Sequence, residues 1–233
     1  MNRRFMGKIM QLTLVSLACY ILVMVMVMPG HDAQAALAKT EAFDTIDAWQ
    51  ALAVATLAVG NSEDVSDSYK TILYIETAYT GAAAQAGCTV IVEISYATAD
   101  DWIPLTTFKG KAVTPGLDDL DEAGNTLAGD TTITTTGGAA DLFDVVGQTW
   151  FIVDTTVAES EVLRTKSWDT QTATLVQDAK YAHADAEVIS DAVDQWAIQL
   201  PFEAAFVHVL VNNSDADATM HWRSFCSKVS SLN

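Results

Sequence analysis

Along most of the chain, apolar and polar residues alternate over short stretches, the period of an extended strand. Val90, Val92, Ile94 and Tyr96 fall on one side of such a stretch, while Glu93 and Ser95 fall on the other. Val207, Val209 and Val211 oppose Phe206, His208 and Leu210, a run apolar enough to predict a strand covered on both faces. Similar runs, rich in Val, Ile, Thr and aromatics and bounded by Gly, Asn, Asp and Ser, predict strands over residues 49–59, 69–79, 88–96, 102–108, 131–135 and 149–153. Later ones fall at residues 161–168, 172–177, 187–190, 195–200, 206–211 and 219–229. Helical i, i+3, i+4 spacing is nearly absent beyond Ala36. A short N-terminal arm over residues 36–48, capped by Thr40 or Asp44, is the one helix expected there.

Many short strands with no helical crossovers between them predict an all-β fold of antiparallel sheets. The stretch 114–130 holds Pro115, Gly116, Gly124, Gly129 and a cluster of acids, and reads as a linker or long loop. Closely spaced strands follow it to about residue 191, including an apolar stretch at 142–146, and the strands on either side are longer. The expected architecture is an antiparallel, jelly-roll-like β-sandwich from residues 49–113 and 192–233. Residues 114–191 supply the linker and an inserted small β-barrel. Insertion at a loop tip suits such a piece, because its two ends lie close together.

The first 35 residues have a different pattern. Arg3, Arg4 and Lys8 precede an apolar run over residues 9–28, Pro29 and Gly30 break it, and Ala33-Gln34-Ala35 offers small residues for cleavage. This is the order of a secretory signal peptide, with removal expected after Ala35. At about 20 residues the run is also long enough to span a bilayer, so the rival expectation is an uncleaved hydrophobic helix that anchors the chain. Both predict export: secreted or at the cell surface, touching membrane only through residues 9–28 if these are retained.

Composition narrows the function. With 30 acidic residues against 12 basic ones and a formal net charge of −18, the chain lacks the clustered Lys and Arg that a nucleic-acid surface needs. A hydrophobic content of 50% excludes disorder. Three cysteines are too few for a disulfide-dense scaffold or a multi-cysteine zinc module. Cys88 and Cys226 each lie in an apolar strand, as buried thiols or, if they meet, as a disulfide. Many strands with few lysines leave sheet edges free to pair, and acidic repulsion keeps unassembled subunits soluble. The expected function is a non-enzymatic structural protein that assembles through β-sheet contacts with itself, as a trimer or larger homo-oligomer, and with neighbouring structural proteins.

Candidate chemistry is sparse. Asp119 and Asp121 at positions one and three, Gly124 at six and Asp130 at twelve loosely match a calcium loop, but Ala123 at five offers no side-chain oxygen and no helices flank it. A solvated acidic loop is the plainer reading, with calcium as its alternative and no other cofactor expected. His208 and His221 fall in strands that could pair, yet two imidazoles do not complete a zinc site, and Cys226 lies five residues from His221, on the opposite face. No nucleophile elbow and no phosphate-cradling glycine loop is present. The six tryptophans are expected mainly in cores; Trp102, after Asp100 and Asp101, is the best candidate for an exposed platform on which a sugar could stack. A secreted carbohydrate-binding or adhesion module is therefore the alternative function, with glycans as partners.

The phrases Gly147-Gln148-Thr149-Trp150-Phe151-Ile152-Val153, Ser160-Glu161-Val162, Ala173-Thr174-Leu175 and Tyr181-Ala182-His183 resemble β-rich structural proteins of tailed-phage virions. Asp194-Gln195-Trp196-Ala197-Ile198 and Val207-His208-Val209-Leu210-Val211-Asn212-Asn213 continue the likeness, which spans roughly residues 49–233 and carries no catalytic motif. The resemblance implies a decoration or tail-associated module, and hence a virion as the other possible location.

Overall fold

The computed structural model describes residues 39–81, 85–121, 127–136, 147–169 and 171–232. The contacts group Thr40–Ser230 into one unit, and Met1–Lys39 with Ser231–Asn233 into another that lies mostly outside the described residues. The expected hydrophobic helix over residues 9–28, the cleavage site after Ala35 and the apolar stretch 142–146 also lie outside them. Among the described residues, no helix is long and apolar enough to cross a membrane.

Fifteen strands follow one another: β1 (Lys39–Leu52), β2 (Leu57–Val59), β3 (Glu63–Asp64), β4 (Lys70–Tyr79), β5 (Cys88–Ser95), β6 (Ile103–Lys109), β7 (Leu117–Asp119) and β8 (Thr132–Thr134). Then come β9 (Thr149–Ile152), β10 (Glu161–Asp169), β11 (Thr172–Leu175), β12 (Val188–Ser190), β13 (Val193–Gln199), β14 (Phe206–Asn213) and β15 (Met220–Leu232). The described helix is a single 3-10 turn, Val157–Glu159. A four-stranded sheet has the order β1-β15-β4-β13, and a five-stranded one the order β2-β14-β5-β6 with β3 also on β14. Strands β7 to β12 make a six-stranded sheet, β7-β12-β9-β10-β11-β8.

The first two sheets share a core. Leu73 and Ile75 of β4 and Trp222 and Cys226 of β15 meet Val90, Val92 and Ile94 of β5 and Val207, Val209 and Val211 of β14. These are alternate positions on their strands, which is how a pleated sheet delivers one face to a core. The six-stranded sheet has its own core around Leu120, Ile133, Trp150, Leu163 and Ile189. A smaller cluster joins it to the four-stranded sheet: Trp49 and Ala78 on one side, Phe151 and Val162 on the other. The architecture is thus the antiparallel all-β arrangement the alternation predicts.

Three local expectations are corrected. The alanine-rich arm expected to be helical is strand from Lys39 onward, because pairing along β15 supplies its backbone hydrogen bonds and both of its faces find cover. Ile46 and Leu52 enter the sandwich core, while Trp49 enters the joining cluster. The strand expected over residues 49–59 is two strands, broken by a turn in which Ala55 has φ 48° and Thr56 Oγ1 donates to the Ala53 carbonyl at 2.6 Å. Residues 117–119, within the stretch read as linker, form β7 against β12. Cys88 and Cys226 are both buried and free, and burial pushes the Cys226 thiol up to about 11.

Candidate functional site: an open sheet edge and a buried histidine cluster

Every sheet that does not close leaves edges, and unpaired edge backbone is a template for another chain. In the five-stranded sheet one edge is broken into the short strands β2 and β3. Its other edge, β6, carries Pro104 and a register shift opposite Val92 and Glu93. Both are ways in which edges are blunted. β13 is seven residues long, and its Asp194 carboxylate accepts the Lys111 N–H at 2.9 Å. β1 differs in length and composition, although it too is tied at one point, where Asn61 donates from Nδ2 to the Ile46 carbonyl at 3.2 Å and from its N–H to Asp47. The strand is 14 residues long, contains no proline and pairs only on its β15 side among the described residues.

The described acids on β1 are engaged internally. Asp47 is buried, accepting from Ser224 Oγ at 2.6 Å, from the Asn61 N–H at 3.0 Å and from Asn61 Nδ2 at 2.9 Å. Asp44 meets the Lys228 ammonium at 3.1 Å, and that ammonium also bonds Glu63 and donates to the Asp64 carbonyl at 2.9 Å. Burial alone would lower the lysine's pKa, but Glu63 and Asp44 outweigh it and hold the ammonium above its ordinary value. What β1 presents outward is Phe43, 66% exposed, with Thr45 and Ala48.

Beside β1 lies a hollow of about 230 Å³, lined by Phe43, Ala48, Trp49, Lys180, Tyr181 and Arg223 among others. A second hollow of about 340 Å³ shares Arg223 and Phe225 with it and reaches Glu76, Gln195 and Val162. Arg223 Nε bonds Glu76 at 2.5 Å, and its guanidinium lies 4.8 Å from the Trp49 ring and 5.2 Å from the Phe225 ring. The first hollow carries Lys180 and Arg223 on its wall together with Asp44, and Arg223 is already paired with Glu76.

The second feature is buried. His183 is fully enclosed, on the connection between β11 and β12. Its Nε2 lies 2.7 Å from Glu161 Oε1, and its Nδ1 lies 3.2 Å from Asp154 Oδ2 and 3.0 Å from Glu187 Oε2. Asp154 follows β9 and Glu161 opens β10, so the antiparallel β9–β10 pair brings the two acids together, and the Asp154 N–H donates to Ser160 Oγ at 2.9 Å. Glu161 also accepts the Lys180 N–H at 3.0 Å, and Asp154 Oδ1 accepts the Thr156 N–H at 2.6 Å. Burial pulls the His183 pKa down, but the Glu161 and Glu187 carboxylates outweigh it and hold it above its ordinary value. Burial raises Glu187, and the Asp154 charge raises it further against the pull of His183.

The residues singled out in the sequence are spread over the fold. Asp119 is exposed at the end of β7, Asp121 is exposed just beyond it, and Asp130 Oδ2 accepts the Leu127 N–H at 2.7 Å, closing a turn. Trp102 is half-buried, with one face stacked on the His208 ring at 3.7 Å and 11°, while His208 Nε2 bonds Glu93 Oε2 at 2.7 Å. An exposed aromatic pair that the sequence did not mark, Tyr69 and Phe202, stacks at 6.5 Å elsewhere. His208 and His221 do not form a shared site: His221 is buried on β15, 5.4 Å from the Phe151 ring.

No family model and no curated protein matches the chain. Among solved structures, a Bacillus endospore appendage protein, described as one of a family of disulfide-linked pili, is 9% identical over 83% of this chain and 91% of that one, with a TM-score of 0.30. The Yersinia pseudotuberculosis-derived mitogen is 7% identical over 82% of this chain and 86% of that one, at 0.27. A capsid protein of bacteriophage P23-77 is 8% identical over 81% of this chain and 96% of that one, at 0.18. Pilus and capsid proteins are thus among the chains it distantly resembles, but at these scores the likeness lends it no function.

Proposed function

We propose that this protein is a non-catalytic assembly subunit that joins copies of itself by pairing along β1. The observation that carries this is the contrast among edges: β2, β3, β6 and β13 are at most seven residues long and β6 is kinked at Pro104, whereas β1 has 14 residues, no proline and, among the described residues, no strand on its second side. Strand addition satisfies the edge N–H and C=O groups at once, and neighbouring pockets take alternate side chains of the arriving strand. Here Phe43 and the adjoining hollow supply the apolar contact, and the exposed Lys180 is a cation beside it for an arriving acidic chain. An isologous β1–β1 contact gives dimers, and a heterologous contact gives rings or filaments. Such a subunit suits an exported surface layer or a virion.

Sedimentation velocity of the full chain tests this, alongside the double variant Phe43→Lys, Ala48→Lys, since lysine on an edge strand is a natural guard against pairing. The expected result is a concentration-dependent oligomer for the parent and a monomer with unchanged circular dichroism for the variant. A parent that stays monomeric at the highest attainable concentration overturns the reading, as does an oligomer that the two lysines leave intact.

A further inference from the structure

We propose that Asp154, His183 and Glu187 bind a first-row divalent cation, Zn²⁺ or Mn²⁺, with Glu161 orienting the imidazole from its far side. The inference does not rest on assembly through β1: none of the four side chains is more than 8% exposed, so none is offered to an arriving chain.

Two observations carry it. The first is hydrogen-bond supply. His183 Nδ1 faces both Asp154 Oδ2 at 3.2 Å and Glu187 Oε2 at 3.0 Å. An imidazole nitrogen carries at most one proton, so it cannot give each of the two carboxylate oxygens its own donor. A cation between the three atoms serves all of them. Ligands about 2.1 Å from a tetrahedral metal stand roughly 3.4 Å apart, close to the spacing seen here. The three ligand atoms all lie within 4.8 Å of one another.

The second is charge. Three carboxylates converge on one imidazole, and among the described residues no Lys or Arg pairs with any of them. Even with the ring protonated, three ionised acids leave a buried excess of negative charge, which is unfavourable unless it is compensated. A divalent ion removes most of that excess. The other close group of potential ligands, Asp44, Glu63 and Cys226, makes the contrast: there the Lys228 ammonium already pairs with both acids.

The donor set decides the class of ion. An imidazole nitrogen with two carboxylate oxygens suits Zn²⁺ or Mn²⁺, whereas Ca²⁺ and Mg²⁺ prefer all-oxygen sites. Glu161 Oε1, 2.7 Å from Nε2, takes the ring's remaining N–H and so presents Nδ1 as the ligand atom, the usual carboxylate–histidine–metal arrangement. Bound there, the ion would tie the β9–β10 turn to the β11–β12 connection, entering as the chain folds.

The test begins with metal analysis of the full chain purified without a metal-affinity step. Thermal melts of the metal-stripped chain follow, with Zn²⁺, Mn²⁺, Ca²⁺ or Mg²⁺ added. One ion per chain is expected, and Zn²⁺ or Mn²⁺ at a hundred times its Kd should raise Tm by roughly 5–10 °C. Glu187→Gln keeps the side chain's size and hydrogen bonding but removes a charged ligand, so it should abolish the shift. Glu161→Gln should weaken binding about 10- to 100-fold while leaving the ligands in place. The proposal is overturned if no ion is retained and neither Zn²⁺ nor Mn²⁺ moves Tm, or if only Ca²⁺ or Mg²⁺ does. It is also overturned if Glu187→Gln melts above the parent and responds to metal as the parent does, which would mark a proton-bridged network.

Discussion

Acid should weaken this fold through one residue in particular. His221 lies on β15 beneath the six-stranded sheet, with its ring 5.4 Å from that of Phe151 and its Nδ1 buried without a hydrogen-bond partner. Burial alone lowers its pKa from 6.5 to about 4. Above pH 6.5 the ring is neutral in both the folded and unfolded states, and the shift has no effect. As pH falls below 6.5 the unfolded chain takes up a proton that the folded chain refuses, so stability is lost progressively down to about pH 4 and then levels off. Over that window the loss is about 3 kcal/mol, at 1.36 kcal/mol per pH unit. Urea unfolding at steps from pH 7.5 to pH 4, on the parent and on His221→Leu, isolates this contribution, because the carboxylates titrate alike in both proteins. The difference between the two curves should change by about 3 kcal/mol in favour of the variant as pH drops. Parallel curves would refute the reasoning.

Two substitutions probe the sandwich itself. A Cβ added at Gly60 would lie 2.6 Å from Asp47 Oδ2 and 3.0 Å from the Val209 carbonyl, so Gly60→Ala should cost about 1–3 kcal/mol in urea unfolding by pushing Asp47 off Ser224; an unchanged midpoint would contradict the close packing. Asn213 is fully buried, donating from Nδ2 to the Leu52, Ala53 and Ala218 carbonyls and accepting from the Tyr79 hydroxyl and the Asp215 N–H. Asn213→Ala removes these bonds, leaving the Tyr79 hydroxyl only the Gly87 carbonyl, and should cost about 3 kcal/mol, read by the same method; a loss under 1 kcal/mol would mean water replaces the amide.

The strands were legible because their signal is local. Val90, Val92 and Ile94 alternate, and all three are buried; Val207, Val209 and Val211 are fully buried, with His208 buried behind them. β1 was not legible, since its alanines favour a helix in isolation and only pairing with β15, a partner at the far end of the chain, makes it a strand. β7 is three residues in an acidic, glycine-bearing stretch, too short for any period to register. The histidine cluster draws on Asp154, Glu161, His183 and Glu187, which the strand register and one long connection bring together. The four-residue spacing of His183 and Glu187 is the only local trace of it, and outside a helix that spacing means nothing. Trp102 was read from its acidic neighbours as an exposed platform, and the His208 ring that covers one of its faces comes from a strand the sequence could not place beside it.

The order in which the ribbon is made also follows from the sheet map. All strands of the six-stranded sheet come from residues 117–190, so that part can pair as soon as it leaves the ribosome. β4 must instead wait for β13 and β15, and β5, which can pair early with β6, waits for β14 on its other side; these three strands are synthesised last. Until then β4 and one side of β5 stand unpaired, and such distant pairings close slowly. A nascent chain of this kind has an interval of sticky exposure built into it, during which a holdase that shields β4 and the open side of β5 would raise its yield.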